Sequence, residues 1–227
     1  LACGPGGMGL AAADRVLPGG EIVLSDVVPE MAAIASARAV ALGLRNVSTR
    51  VLDIEEIDEP AASYDAVLCR EGLMFAVDPV RAAREIRRVL RPGGRLAVAV
   101  WGPRARNPWL GIVFDEASAQ LARQVPPAGV PNPFSLDDAD RLAATLRAGG
   151  LADVVVDELS TPVRLGSFDE WWSRTRGLAG PLTALLAELP ASSMPALENR
   201  LRAAVAPYRT VRGLEIPGVT LIASATA

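Results

Sequence analysis

The stretch Gly4-Pro5-Gly6-Gly7-Met8-Gly9 decides the fold, because it has the spacing G-x-G-x-x-G between a strand-like junction and a helix-like segment. Glycines at these positions permit positive φ and let the main chain come close to a ligand. The next apolar segment, residues 21–25, is predicted to be a strand and ends at Asp26, 20 residues after Gly6. A carboxylate there can accept both hydroxyls of a ribose. The two features together indicate a site for a nucleoside-containing ligand.

Strand-like and helix-like segments alternate outward from this loop, which is typical of βαβ units and a parallel sheet. The strand-like segments are apolar throughout, so we expect helices on both faces of the sheet. One helix start is especially clear, because Asp78 can act as N-cap and Pro79 suits the first helical position. The predicted strands are residues 21–25, 47–52, 65–69 and 95–101, and the intervening helices are residues 29–42 and 79–91.

The second part of the chain changes character after residue 101. Residues 102–133 contain six prolines and one expected helix, and Ser135 is predicted to cap another helix. We expect one domain over 1–227, with a cofactor-binding half at 1–101 and a substrate-side half at 102–227. The substrate-side half would hold a helical insertion around 102–150, lid-like helices at 168–206 and a final strand at 219–223. Trp171 and Trp172 are predicted to pack in a core or to line a lid.

Composition excludes several classes of function. The 227 residues include no histidine, and all 23 basic residues are arginine. A histidine-ligated metal site, a Ser-His-Asp triad and Schiff-base chemistry are therefore excluded for these residues, and two cysteines alone cannot form a zinc site. The net charge is −3, with no long basic run, so we expect no nucleic-acid partner. No apolar run reaches the ~20 residues of a membrane span, and we expect a cytoplasmic protein.

The charge pattern at the predicted strand ends helps to choose among nucleoside cofactors. NAD would place a pyrophosphate on the glycine-rich loop, but Pro5 removes one amide donor. The acidic residues Asp26, Asp53, Glu55 and Glu71 favour a cation over an anion. S-adenosylmethionine has a ribose, an adenine and a sulfonium but no phosphate, so the pattern favours it over NAD.

Four motifs in order give a stronger indication. Residues 2–7 (Ala-Cys-Gly-Pro-Gly-Gly) resemble the glycine-rich motif of class I S-adenosylmethionine-dependent methyltransferases, and Asp26 and Asp53-Ile54 match the acidic ends of its second and third strands. Residues 64–70 resemble its fourth-strand motif, and residues 90–96 (Leu-Arg-Pro-Gly-Gly-Arg-Leu) its L-x-P-G-G-x-L turn. The motifs cover residues 1–101, about 45% of the chain. The chain resembles ubiquinone/menaquinone-biosynthesis-like and related small-molecule methyltransferases.

The resemblance implies a Rossmann-like doubly wound fold with a mostly parallel seven-stranded sheet and an antiparallel last strand. It also implies that Asp26 holds the ribose hydroxyls, that Asp53 bonds the adenine amino group, and that Arg70 contributes main-chain contacts near the amino-acid part. Glu71 would face the transferred methyl group. The full set of expected cofactor-binding residues is Ala2, Cys3, Gly4, Gly6, Asp26, Val27, Met31, Asp53, Ile54, Arg70 and Glu71.

The sequence departs from the family pattern at its beginning. The family's first strand, which carries an acidic residue before the glycine-rich loop, is largely missing from this chain. That strand is central in the family's sheet, so we expect the native protein to be longer at its N-terminus.

Methyl transfer from a sulfonium is an in-line displacement in which orientation supplies much of the rate. If a base is needed, the candidates are Glu71, Asp115 and Tyr208. The acceptor is expected to be a small molecule, with an apolar or aromatic one indicated by the tryptophans. Two alternatives stay open at this point: an NAD-dependent oxidoreductase and a non-catalytic nucleoside-binding domain. The sequence gives no indication of the oligomeric state.

Overall fold

Helices and strands alternate along the first hundred residues of the computed structural model, which describes residues 1–178 and 181–227. The helices are α1 (Gly7–Ala12), α2 (Pro29–Ala41), α3 (Pro79–Val89), α4 (Pro108–Leu121), α5 (Ala139–Ala148), α6 (Phe168–Arg176), α7 (Pro181–Ala187) and α8 (Met194–Val205). The strands are β1 (Ile22–Asp26), β2 (Val47–Val51), β3 (Tyr64–Arg70), β4 (Leu90–Trp101), β5 (Ala152–Ser160), β6 (Val163–Leu165), β7 (Arg209–Thr210), β8 (Gly213–Ile216) and β9 (Val219–Thr226).

The predicted elements of the first hundred residues are confirmed to within a few residues. The start of α3 is also confirmed, since the Asp78 side chain accepts hydrogen bonds from the amides of Val80 (3.1 Å) and Arg81 (2.9 Å). Strand β4 begins earlier than predicted, at Leu90, because the chain stays extended on both sides of a turn at Gly93, where φ is +76°.

The prediction that Ser135 caps a helix is wrong. Helix α5 begins at Ala139, and its N-cap is Asp138, whose side chain accepts from the amide of Arg141 at 2.8 Å. The hydroxyl of Ser135 instead accepts from the amide of Asn132 at 2.8 Å, inside the preceding turn. Two residues of the predicted helical span 168–206, at positions 179 and 180, lie outside the described residues.

The strands form three sheets, and the α/β class predicted from the sequence is confirmed. Strands β1 and β2 are parallel, with Asp26 opposite Val51. A four-stranded sheet has the order β3-β4-β9-β5, and β3 and β4 are parallel. The antiparallel sheet β6-β8-β7 was not predicted. The doubly wound part thus consists of one two-stranded sheet and one four-stranded sheet. The antiparallel orientation of the last strand stays a prediction.

The chain divides into two compact units. The first unit comprises Leu1–Val100, Asp138–Asp157 and Leu221–Ala227, and the second comprises Trp101–Asp137 and Glu158–Thr220. Assignment of residues 102–227 to the acceptor side stays a prediction. None of the helices in the described ranges is both long enough and apolar enough to cross a membrane.

Each unit has its own apolar cluster. In the first unit, Leu10, Leu24 and Ala35 pack α1 and α2 against β1. In the second unit, aromatic residues of α4 and α6 pack against leucines of α8. Trp171 and Trp172 are 0% and 3% exposed in this second cluster. The alternative that they line a lid is therefore wrong, since their rings are buried among side chains of their own unit.

Candidate functional site

The glycine-rich loop forms a tight turn into α1. The amide of Gly6 donates to the carbonyl of Cys3 at 2.9 Å, and the amide of Leu10 donates to the carbonyl of Gly6 at 2.8 Å. Gly6 has a φ of +85°, and a Cβ there would lie 3.1 Å from the Cβ of Ala35. Both the backbone conformation and the space therefore require glycine at this position. Gly4 has a φ of +51°, but a Cβ there would meet nothing within 4 Å, so this side of the loop is open.

The carboxylate of Asp26 lies against the loop. Its Oδ2 accepts a hydrogen bond from the amide of Gly4 at 2.8 Å, and its Oδ1 accepts one from the amide of Val28 at 3.0 Å. Asp26 is the last residue of β1 and only 9% exposed. A carboxylate offers about four acceptor positions. The two amides occupy two of them, so the others remain for hydroxyl groups of a ligand.

Apolar side chains lie beside Asp26 on the solvent side. Val27 is 61% exposed and Val28 is also exposed, although valine is usually buried. Met31, half-buried in the first turn of α2, donates its amide to the carbonyl of Val28 at 3.0 Å. These side chains offer an apolar surface on which a flat ring such as adenine can pack.

Asp53 and Ile54 leave the sheet at the same edge as Asp26. Strands β1 and β2 are parallel, and the amide of Leu52 donates to the carbonyl of Asp26 at 3.1 Å. The exposed carboxylate of Asp53 accepts from the amide of Glu55 at 2.8 Å, and Ile54 is half-buried. The structure thus brings the predicted ribose and adenine residues to one edge, as the carboxyl ends of parallel strands require.

Residues 1–3 lie between β1 and β3. The amino group of Leu1 donates to the carbonyl of Leu68 at 2.8 Å, and the amide of Cys3 donates to the carbonyl of Ser25 at 2.8 Å. Ala2 packs so closely on Gly72 that a Cβ added to Gly72 would lie 2.3 Å from the Cβ of Ala2. The glycine-rich loop is therefore bordered by Asp26 on one side and by the residues after β3 on the other.

Neither cysteine of the chain is activated as a nucleophile. Burial, and after it the negative charge of Asp26, raise the pKa of the half-buried Cys3 thiol. Burial also raises the pKa of Cys69, which is fully enclosed. Both side chains therefore stay protonated near neutral pH, which fits small packing residues better than reactive thiols.

Glu71 follows β3 directly. Its amide donates to the carbonyl of Ala99 at 2.8 Å, and its φ of +57° is uncommon for a residue other than glycine. Burial raises the pKa of its carboxyl from the ordinary value of 4.5 to about 7, although the attraction of neighbouring Arg70 works against the rise. The side chain of Arg70 itself is exposed.

The other two base candidates lie in the second unit. Asp115 forms an ion pair with Arg104, and its side chain is 71% exposed. Tyr208 is partly buried and packs against the aromatic cluster of that unit. The structure therefore does not bring them together with Glu71 inside one unit.

Sequence reasoning missed two residues at the loop. Gly72 permits the close approach of Ala2, and the exposed Arg38 donates through its guanidinium to the carbonyl of Pro5 at 2.5 Å. Gly72 could have been found from the sequence, because it is a glycine that follows the acidic end of a predicted strand. No local pattern marks Arg38, since it lies 33 residues from its partner.

Comparison with known proteins identifies the first part of the chain. A family model described as a methyltransferase domain matches residues 1–98. An uncharacterized protein of Mycobacterium bovis is 30% identical over 182 residues, which cover 80% of this chain and 63% of the relative. A ubiquinone/menaquinone biosynthesis C-methyltransferase of Bordetella parapertussis is 31% identical, over 72% of this chain and 66% of the relative. The chain thus spans less than two thirds of the length of these relatives.

A solved structure agrees with the fold. The crystal structure of the YcgJ protein from Bacillus subtilis matches with a TM-score of 0.66 and 19% sequence identity, and the match covers 99% of this chain and 88% of that one. At this level of identity the likeness supports the Rossmann-like α/β fold.

Proposed function

We propose that this chain transfers a methyl group from S-adenosylmethionine to a small-molecule acceptor. Through residues 1–98 it belongs to the class I S-adenosylmethionine-dependent methyltransferases. The observation that carries the proposal is the hydrogen bond that the amide of Gly4 donates to the Asp26 carboxylate. It fixes a hydroxyl-binding carboxylate next to an open backbone turn. When bound, the cofactor supplies a methyl group on a positively charged sulfur, a good leaving group.

The residues at the loop fit this cofactor. Asp26 has acceptor positions left for the ribose hydroxyls, and the exposed Val27 gives the adenine an apolar surface. Ala2, Cys3, Gly4 and Gly6 would border the methionine end, with Arg70 and Glu71 on its far side. Asp53 would accept from the adenine amino group, with Ile54 and Met31 against the ring.

The acceptor is proposed to be small and apolar or aromatic, and no nucleic acid is expected as partner. One relative is named as a C-methyltransferase of ubiquinone and menaquinone biosynthesis, which supports an aromatic ring as part of the acceptor. The family match favours this function over an NAD-dependent oxidoreductase and over a non-catalytic nucleoside-binding domain. Stabilisation of the protein by NADH but not by S-adenosylmethionine in a thermal-shift assay would reverse that preference.

Removal of the Asp26 carboxylate tests the cofactor site. In the Asp26→Ala variant we expect binding of S-adenosylhomocysteine to weaken by about 1–3 kcal/mol, roughly 5- to 150-fold, because charge-assisted hydrogen bonds to the ribose are lost. Isothermal titration calorimetry measures the change.

The matched control for this measurement is Asp58→Ala, which removes an exposed aspartate of the same unit. Its affinity should equal that of the unchanged protein. Equal affinities for all three proteins would mean that the ribose binds elsewhere. If the unchanged protein does not bind the nucleoside at millimolar concentration, the proposed function is wrong.

A further inference from the structure

We propose that Glu71 is the catalytic residue that takes the proton from the methyl acceptor, and that this acceptor carries a weakly acidic hydroxyl, such as a phenol or an enol. The inference rests on the proposed function and deepens it, because it adds a named base and a class of acceptor. It begins from the position of Glu71 beside the loop.

The main chain places Glu71 at the loop border opposite Asp26. The hydrogen bond from its amide to the carbonyl of Ala99 holds it at the carboxyl ends of β3 and β4. The next residue, Gly72, packs directly on Ala2 of the loop. Ligands of open α/β sheets bind outside the carboxyl ends of the strands. Glu71 is therefore next to the expected methionine end of the cofactor, where the methyl group would be.

The carboxyl of Glu71 is available for chemistry. Within residues 1–178 and 181–227 it has no hydrogen-bond or ion-pair partner, although the residue is half-buried. The charged and titratable groups that interact with it are the guanidinium of Arg70 and the thiol of Cys69. Of these, Arg70 acts directly on Glu71, and its attraction is weaker than the effect of burial.

The other two carboxylates proposed for the cofactor site, Asp26 and Asp53, accept main-chain hydrogen bonds, whereas the carboxyl of Glu71 accepts none within the described residues. Two amides bind the carboxylate of Asp26, and one amide binds that of Asp53. The chain has neither histidine nor lysine that could serve at neutral pH. General bases are most effective when their pKa lies near the working pH. Glu71, with a pKa of about 7, satisfies that condition.

The positive charge of the sulfonium indicates which class of acceptor the site takes. An ammonium acceptor would place a second cation beside the sulfonium, with one carboxylate between them, and like charges repel. A neutral hydroxyl avoids this and can hydrogen-bond to the carboxylate. During transfer the acceptor oxygen forms a bond to the methyl carbon while the carbon–sulfur bond breaks and its electron pair stays on sulfur. The hydroxyl proton passes to the Glu71 carboxylate and from there to solvent.

The first experiment needs no acceptor. Affinities for S-adenosylmethionine and S-adenosylhomocysteine are measured by calorimetry from pH 5.5 to 8.5; the two ligands differ by the charged methyl group. A sulfonium near Glu71 favours its ionised form and lowers its pKa from about 7, so the affinity for S-adenosylmethionine relative to S-adenosylhomocysteine should rise about tenfold as pH increases to about 7 and stay level above it. In Glu71→Gln the ratio should not change with pH, and Glu21→Gln, at an exposed position, should behave like the unchanged protein.

The second experiment separates a base from a residue that only binds. Phenol, with a pKa of ~10 like that of tyrosine, and 4-nitrophenol, which is largely ionised at mildly alkaline pH, are tested as acceptors. Glu71→Gln should slow methylation of phenol by roughly 10²- to 10⁴-fold at pH 7.5. It should slow methylation of 4-nitrophenol far less, because this acceptor needs no base.

Each outcome decides a different claim. Failure of both nucleosides to bind means that the proposed function itself is wrong. Binding with a pH-independent affinity ratio in the unchanged protein, or equal slowing of both phenols in Glu71→Gln, leaves the methyltransferase function intact and overturns the role of Glu71. Transfer only to amines, thiols or ring carbon overturns the hydroxyl acceptor.

Discussion

Asn107 ties distant segments of the second unit together through a single buried side chain. It is 0% exposed, and its Nδ2 donates to the carbonyls of Gly102 and Val219, each at 3.0 Å. Its Oδ1 accepts from the amide of Val219 at 3.0 Å and from the indole of Trp109 at 3.3 Å. The side chain therefore satisfies main-chain groups that would otherwise be buried without partners.

Substitution Asn107→Ala should lower the free energy of unfolding by at least about 1–3 kcal/mol, because it leaves buried donors and acceptors unsatisfied. Urea unfolding followed by tryptophan fluorescence measures the loss. Asn199→Ala, at an exposed position of α8, should stay within about 0.5 kcal/mol of the unchanged protein. Similar stabilities for the two variants would contradict the structural role assigned to Asn107.

At the scale of elements, contact between α3 and α5 depends on one glycine. A Cβ on Gly149, at the end of α5, would lie 2.4 Å from the Cβ of Ala83 and 2.8 Å from its carbonyl carbon. Ala82, Ala83 and Ile86 are fully buried on α3, so neither helix can give way by a side-chain movement alone. Small residues on both sides therefore set how closely the helices pack.

Gly149→Ala should destabilise the protein by about 1–3 kcal/mol, the usual cost of overpacking a tight contact. Gly111→Ala is the matched control, since Gly111 lies inside α4 and a Cβ there would be in ordinary contact at 3.6 Å from the nearest atom. The control should be neutral or slightly stabilising, because alanine favours the helix. Denaturant unfolding of both variants gives the comparison, and a neutral Gly149→Ala would show that the helices can separate at little cost.

At the scale of the molecule, the two compact units contain different kinds of residue. The cofactor-binding residues proposed above all lie in the first unit, and all four tryptophans, at positions 101, 109, 171 and 172, lie in the second. Tryptophan fluorescence therefore reports on the second unit, whereas binding of S-adenosylhomocysteine would report on the first.

Leu201→Ala should reduce the stability seen by tryptophan fluorescence by about 2–5 kcal/mol, because Leu201 is fully buried in the second-unit cluster and its truncation leaves a cavity. Affinity for S-adenosylhomocysteine should stay within about twofold at a temperature where the variant is folded. Leu159→Ala, at a half-exposed position, serves as control. A large loss of affinity in Leu201→Ala would show that the cofactor site depends on the second core.

Sequence patterns predicted the elements of the first hundred residues well. Asp78-Pro79 marked a helix start that the structure confirms, because capping and the fixed φ of proline act within a few residues. The prediction that Ser135 caps a helix was wrong, because a serine before a helix can stabilise either a turn or a helix start. Here Ser135 stabilises the turn and Asp138 caps the helix. The antiparallel sheet β6-β8-β7 was missed because its strands have only two to four residues and carry little periodicity.

The candidate site was predicted as residue types and spacing, not as contacts. The sequence indicated that Asp26 and the glycine-rich loop belong to one site, and the structure brings the carboxylate to the amide of Gly4. It did not indicate that Ala2 packs on Gly72 or that Arg38 binds the carbonyl of Pro5. These contacts join residues that are 70 and 33 positions apart, beyond the reach of any local pattern.

The sequence by itself determined the α/β class, the order of the motifs and the absence of histidine and lysine chemistry, since propensity, capping and composition act over short distances. Only the tertiary structure decided that Glu71 is half-buried, with its pKa raised to about 7, while Asp115 is exposed and paired with Arg104. Burial and charge depend on what packs around a side chain, and that depends on how remote segments come together. The same residue type therefore has different chemistry at different places in the fold.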